Sequence, residues 1–146
     1  MTEKRAARTW SRDIIDYKQS SVVPYRHVDG RLEVLLITSR RRGRWIVPKG
    51  LIEPDMSAAE SAAMEALEEA GVKGRISDRP IDEYSYKKWG GVCGVKVFLL
   101  EVDEVMDEWP ESDIRRREWM SVDDAVEAID QQALKTIVGS LPDRVA

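Results

Sequence analysis

The stretch from Pro48 to Val72, PKGLIEPDMSAAESAAMEALEEAGV, constrains the fold more than any other part of the chain. It opens with a Pro-Lys-Gly turn, runs into a helix and stops at a glycine. Ser57, followed three residues later by Glu60, forms a capping-box pattern. In it the hydroxyl and the carboxylate each satisfy a backbone N–H left open by the first helical turn. Alanines at 58, 59, 62, 63, 66 and 70, with Met64, Leu67 and the glutamates, favour helix. Gly71 stands where a helix takes its left-handed stop. Glu65, Glu68 and Glu69 are spaced i, i+3 and i+4, so a helical period of about 100° per residue gathers three carboxylates into one sector.

Two readings of that sector stand side by side. A solvated glutamate face is one, and for an isolated ExxEE it is the better one. The other is a hard divalent cation: Mg²⁺ takes oxygen ligands, keeps waters and is shared with substrate phosphates. Context favours the cation. Trp45-Ile46-Val47-Pro48 feeds the glycine turn directly, and the acidic helix closes on Gly71-Val72, so turn backbone and acidic face converge on one place.

These residues resemble the Nudix box, G-x5-E-x7-R-E-U-x-E-E-x-G-U, where U is a bulky apolar residue. Gly50, Glu65, Glu68, Glu69, Gly71 and Val72 match in register. Met56 stands where the pattern has Glu, Met64 where it has Arg, and Ala66 at the first U. The likeness runs on through RWIVP, EEAGVKG and DEWPESDIRRREWMSVDDA, over roughly 31–129. There it is similar to the diphosphoinositol polyphosphate phosphohydrolase branch of the family.

The resemblance implies an α+β fold, an α/β/α sandwich with a mixed sheet. It also implies Mg²⁺-dependent (or Mn²⁺-dependent) hydrolysis of phosphoanhydride bonds in a highly phosphorylated small molecule. Dinucleoside polyphosphates lead over inositol pyrophosphates, because basic residues expected nearer the amino end reduce to Lys18 followed by Gln19-Ser20-Ser21. Carried over by position, Glu65, Glu69 and the main-chain carbonyl of Lys49 match metal-ligand positions. Glu68 matches the water-activating residue, and Ser39, Arg40 and Arg115 match substrate contacts. The competing reading is a catalytically weak sensor of the same ligands, favoured by Met56 and Met64. A structural adaptor ranks last, because it leaves the glycine turn and its spacing unexplained.

Bulk composition excludes other classes. A chain of 146 residues with 42% apolar and 34% charged residues is one domain with a real core. The net charge of −4 argues against general nucleic-acid binding. Cys93 is the single cysteine and His27 the single histidine, which leaves no intrachain disulfide, cysteine cluster or two-histidine metal site. With no long apolar run and no signal-peptide pattern, the chain reads as cytoplasmic and not membrane-bound.

In chain order, residues 1–17 read as an N-terminal arm or short helix and 18–146 as a single domain. Ser20 to Tyr25 is strand-like, with Pro24 suggesting an edge or bulge. Asp29-Gly30 is a hairpin turn into a strand over Arg31 to Thr38. SRRRGR from Ser39 to Arg44 is a loop whose arginine forks suit phosphate oxygens, although a solvated charged face explains it too. Short strands follow at Lys73 to Ile76 and Ile81 to Tyr86, then a basic aromatic hairpin tip at Lys87 to Gly91. Val92 to Val102 reads as a buried central strand. Arg115 to Met120 alternates as a strand. Helices then run from Ser121 to Ile129 and from about Gln132 to Leu141.

Overall fold

The computed structural model describes residues 14–145, so most of the N-terminal arm lies outside the described residues. Eight strands run in order: β1 (Tyr17–Val28), β2 (Arg31–Thr38), β3 (Trp45–Ile46), β4 (Lys49–Leu51), β5 (Val72–Ile76), β6 (Asp82–Lys88), β7 (Gly91–Val105) and β8 (Arg117–Ser121). The α-helices are α1 (Ala58–Glu65), α2 (Val122–Ala128), α3 (Gln132–Gly139) and α4 (Leu141–Arg144). All the strands join one mixed sheet, with β1 and β7 parallel at its centre and the other pairs antiparallel.

Alternation along the strands divides the apolar residues between two cores. On β2, Val34 and Leu36 face one way and pack with Val23, Val95, Val97, Ile129, Ile137 and Leu141, beneath α2 to α4. Leu35 and Ile37 face the other way and meet Val22, Phe98, Ala62, Ala66 and Ala70 beneath α1. The small alanines let α1 lie close against the sheet. The result is the α/β/α sandwich with a mixed sheet that the resemblance implied. β7 is its buried centre, and Cys93 is one of the buried residues on it.

Both tight hairpins carry the backbone that their turns require. Asp29 and Gly30 have φ of 52° and 78°, and Trp89 and Gly90 have 55° and 71°; paired positive values are the geometry of a two-residue hairpin. Pro24 is not at a sheet edge. It pairs with Leu100 of β7, and on its other side it falls between the β4 pairing at Gln19 to Ser21 and the β2 pairing from Tyr25 onward. The Val22 N–H donates to the Pro48 carbonyl, so strand alternation aims the missing Pro24 N–H into that gap, where no ladder bond is lost. The last predicted helix is two. The Ser140 N–H closes α3 on Thr136 and Ile137, and Pro142 begins α4 in the first helical turn, where its lack of an N–H costs nothing.

Candidate active site

The capping box forms as the sequence predicts. The Glu60 N–H donates to Ser57 Oγ at 3.0 Å, and the Ser57 N–H donates to Glu60 Oε1 at 2.8 Å. After Glu65 the helix widens into a π-helical turn, Ala66–Ala70, and ends at Gly71 in the left-handed conformation (φ 69°, ψ 35°). This turn changes the expected geometry. A wider turn brings i and i+4 nearly into line and swings i+3 aside. Glu65 and Glu69 lie together and are buried, at 9% and 8% exposure, while Glu68 is more open. Among the described residues no three acidic, histidine or cysteine side chains converge as a metal cluster. The expected trio is a buried pair with a third glutamate beside it.

The turn before α1 builds the other half of the site. A Cβ added to Gly50 would lie 2.2 Å from Glu65 Oε2, so the bare glycine is what admits the Glu65 carboxylate. The Val22 N–H reaches the Pro48 carbonyl and the Ile52 N–H reaches the Lys18 carbonyl, which makes Ser20–Gly50 the bonded pair of the β1–β4 ladder. Lys49 is consequently turned outward on both backbone groups. Its N–H donates to Glu69 Oε1 at 3.1 Å, and its carbonyl faces the same side. The Lys49 side chain runs elsewhere: Nζ donates to the Tyr86 hydroxyl at 2.9 Å, and that hydroxyl donates to Gln19 Oε1 at 2.7 Å. Burial, reinforced by the charge of Lys88, pushes the Lys49 amine down to about 8.

Burial also governs the acids. It pushes Glu69 up to about 8 against the opposing pull of Arg115, with the neighbouring Glu65 adding to the rise. Glu65 is raised for the same first reason, and the charges of Glu68, Glu111 and Glu53 add to it. Two buried carboxylates facing each other beside an outward carbonyl form a hard oxygen donor set. Such a set suits a divalent cation that completes its shell with water and substrate oxygens.

The segment from Met106 to Arg117 closes over the π-helical turn. The Glu111 N–H donates to the Glu68 carbonyl at 3.1 Å, Trp109 Nε1 to the Glu69 carbonyl at 3.1 Å, Arg117 Nη1 to the Ala70 carbonyl at 2.8 Å, and the Met106 N–H to the Gly71 carbonyl at 2.8 Å. These are the carbonyls that a helix end leaves without partners. The Arg117 guanidinium also lies 3.8 Å from the centre of the Trp109 ring. No local sequence signal revealed this cap, because each donor lies some forty residues from its acceptor.

The predicted substrate residues separate. Arg40, Arg41 and Arg42 are exposed and have no hydrogen bond or ion pair among the described residues. Ser39 shapes their turn: its N–H donates to the Arg44 carbonyl at 2.7 Å, and its hydroxyl accepts the Arg44 N–H at 3.0 Å. Arg115 does not present its guanidinium to solvent as a substrate contact would. Its side chain is 6% exposed and bound to Glu111, Thr38 and Glu69. Met56 packs its sulfur against the Ser61 hydroxyl at 3.8 Å, and the last turn of α1 holds no basic residue.

A cavity of about 330 Å³ opens beside Lys49 on the α2–α3 side. Trp45, Val47, Tyr84 and Leu134 give it apolar walls, and Asp130 and Gln131 add polar groups. Arg44 and Asp130 are 3.3 Å apart.

A sheet between helical layers, with a glycine turn on β4 meeting a glutamate-bearing helix, is a fold shared with known proteins. The NUDIX domain profile matches residues 18–138, and the chain belongs to that family. It is 35% identical over 130 residues to Nudix hydrolase 13, mitochondrial, of Arabidopsis thaliana, covering 74% of this chain and 64% of the relative. It is 37% identical over 100 residues to diphosphoinositol polyphosphate phosphohydrolase 3-beta of Bos taurus, covering 66% of this chain and 60% of that one. The chain thus spans about half to two thirds of the length of the first curated relatives it matches. Its fold is similar to that of a C. elegans Ap4A hydrolase, with a TM-score of 0.75 at 23% identity over 91% of this chain and all of the other.

Proposed function

We propose that the protein is a Mg²⁺-dependent hydrolase of phosphoanhydride bonds in a highly phosphorylated nucleotide, a dinucleoside polyphosphate in particular. The observation that carries this reading is the facing pair Glu65 and Glu69, buried against Gly50 beside the outward Lys49 carbonyl. When bound there, a divalent cation supplies charge neutralisation at the phosphate oxygens. Glu68, the open member of the three, takes the proton of the attacking water as its oxygen bonds to phosphorus. The phosphoanhydride P–O bond breaks, and the leaving phosphate departs with its electron pair.

Arg40, Arg41 and Arg42, exposed and without a bonded partner among the described residues, can meet the phosphates remote from the cleaved bond. The cavity favours a nucleotide over an inositol phosphate. Its Trp45 and Tyr84 walls suit the flat apolar face of a base, and its two cations, Arg44 beside Asp130 and Lys49 bonded to Tyr86, fall short of the surround that a polyphosphorylated ring would call for.

Mass spectrometry tests the reading with a panel of dinucleoside polyphosphates, inositol pyrophosphates, ADP-ribose, NADH and nucleoside triphosphates, with and without Mg²⁺. Cation-dependent cleavage of dinucleoside polyphosphates, lost in Glu68→Gln, is the expected result. Ligand binding without cleavage would replace the hydrolase with the sensor that Met56 and Met64 suggest.

A further inference from the structure

We infer that Arg115 is a positioning residue for the proposed hydrolysis, holding the Glu69 carboxylate from outside the metal helix. The inference rests on the proposed cation site. Three glutamates lie within five positions, yet α1 supplies no basic residue to its last turn. Among the described residues, the only salt bridge to any of the three comes from Arg115, whose Nη2 lies 3.5 Å from Glu69 Oε2.

That guanidinium is fixed independently on two further sides. Nε donates to Glu111 Oε1 at 2.8 Å, and Nη1 donates to the Thr38 carbonyl at 2.9 Å. The three contacts tie the Arg115 side chain to the loop after β7, to the end of β2 and to the helix. With 6% of its side chain exposed, Arg115 cannot reach a phosphate without breaking them.

Glu69 is thereby held by both oxygens: Oε1 accepts from the Lys49 N–H and Oε2 faces Arg115. A carboxylate has about four lone-pair sites, so two directed partners orient the group and leave lone pairs for a cation. The same segment orients the main chain beneath, through Trp109 on the Glu69 carbonyl and Glu111 on the Glu68 carbonyl. Side chain and backbone of Glu69 are therefore set by one segment distant in sequence.

A positioning role and a substrate-contact role separate experimentally. Mn²⁺ affinity, read by electron paramagnetic resonance without substrate, would be measured for wild type, Arg115→Met and Arg115→Lys. The kcat and KM values would be taken on diadenosine tri-, tetra- and pentaphosphate. Loss of a group that orients a metal ligand typically weakens metal binding or activity by about 10- to 100-fold. Arg115→Met is expected to weaken Mn²⁺ binding in that range and to lower kcat, with KM within about twofold of wild type for all three substrates.

Arg115→Lys keeps the charge between Glu69 and Glu111 but loses the planar fork. It is expected to stay folded and to fall between the two, and it decides the question if Arg115→Met does not fold. Unchanged Mn²⁺ affinity in Arg115→Lys, or a KM that rises with kcat preserved, would overturn the inference and return Arg115 to the phosphates. A wild-type protein that binds no Mn²⁺ would overturn the proposed function itself, and this inference with it.

Discussion

Gly50→Ala separates site from fold more cleanly than removal of any glutamate. The added Cβ would lie 2.2 Å from Glu65 Oε2, 2.4 Å from Cδ and 2.9 Å from Oε1. Ordinary contact between such atoms is about 3.5 Å, so the carboxylate must retreat by roughly 1 Å or more. Gly50 does not have the positive φ that would make alanine itself strained. The atoms in the way are the far end of a flexible side chain, so the fold survives. Where the backbone is compatible, Gly→Ala stabilises by about 0.4–1 kcal/mol through the unfolded chain, which sets an unchanged or slightly raised melting temperature as the expectation.

A displacement of about 1 Å at a reacting centre costs on the order of 100-fold in rate, and that loss in kcat is the predicted effect. Gly74→Ala is the contrast. Its Cβ would lie 1.9 Å from the Glu101 main-chain oxygen, at the register shift between β5 and β7. Backbone cannot move aside as a side chain can, so Gly74→Ala should lower the melting temperature clearly. Turnover and thermal melts on both variants check the pair. A Gly50→Ala enzyme with wild-type kcat, or one that loses activity only by unfolding, would refute the account of Glu65.

Two further predictions concern the charge balance of the site. The folded pKa of Glu69 is raised to about 8 and that of Glu65 is raised as well. Below the ordinary glutamate value of 4.5, both states hold these protons and stability is unaffected. As pH rises through the window up to about 8 the unfolded chain releases them first, so the cation-free protein should lose stability. Calorimetry in chelator should show a falling melting temperature, and Mg²⁺ should restore more of it at pH 8 than at pH 5; a flat profile would remove the acid pair as its source. Restoring Met56→Glu and Met64→Arg together should change kcat by less than about threefold, because paired ionic support replaced by apolar packing is often neutral. A gain of tenfold or more in steady-state assays would show that the methionines impair turnover.

The legible part of this chain was local. The capping box at Ser57 and Glu60, the left-handed stop at Gly71 and the hairpins at Asp29-Gly30 and Trp89-Gly90 each depend on a few adjacent residues, and each formed. Alternation in β2 and β7 set which residues face which core, since side chains on a strand have a period of two. The glutamate spacing singled out the residues of the candidate site, but an ideal helical period misjudged their arrangement, because no sequence pattern announced the π-helical turn that buries Glu65 and Glu69 and leaves Glu68 more open.

The partners of that site were beyond local reading. Gly50 makes room for Glu65 fifteen residues on, the Lys49 N–H meets Glu69 across the turn, and Trp109, Glu111, Arg115 and Arg117 close over the helix end from another strand and its loop. Arg115 shows the difference most clearly. Its match to a family position suggested a residue facing phosphate, while the tertiary structure buries it against Glu69 and Glu111. Sequence determined the elements, since backbone preference and periodicity act over a turn or a strand. Only the packing of distant segments decided which charges are compensated, because burial and pairing are properties of surfaces brought together by the whole fold.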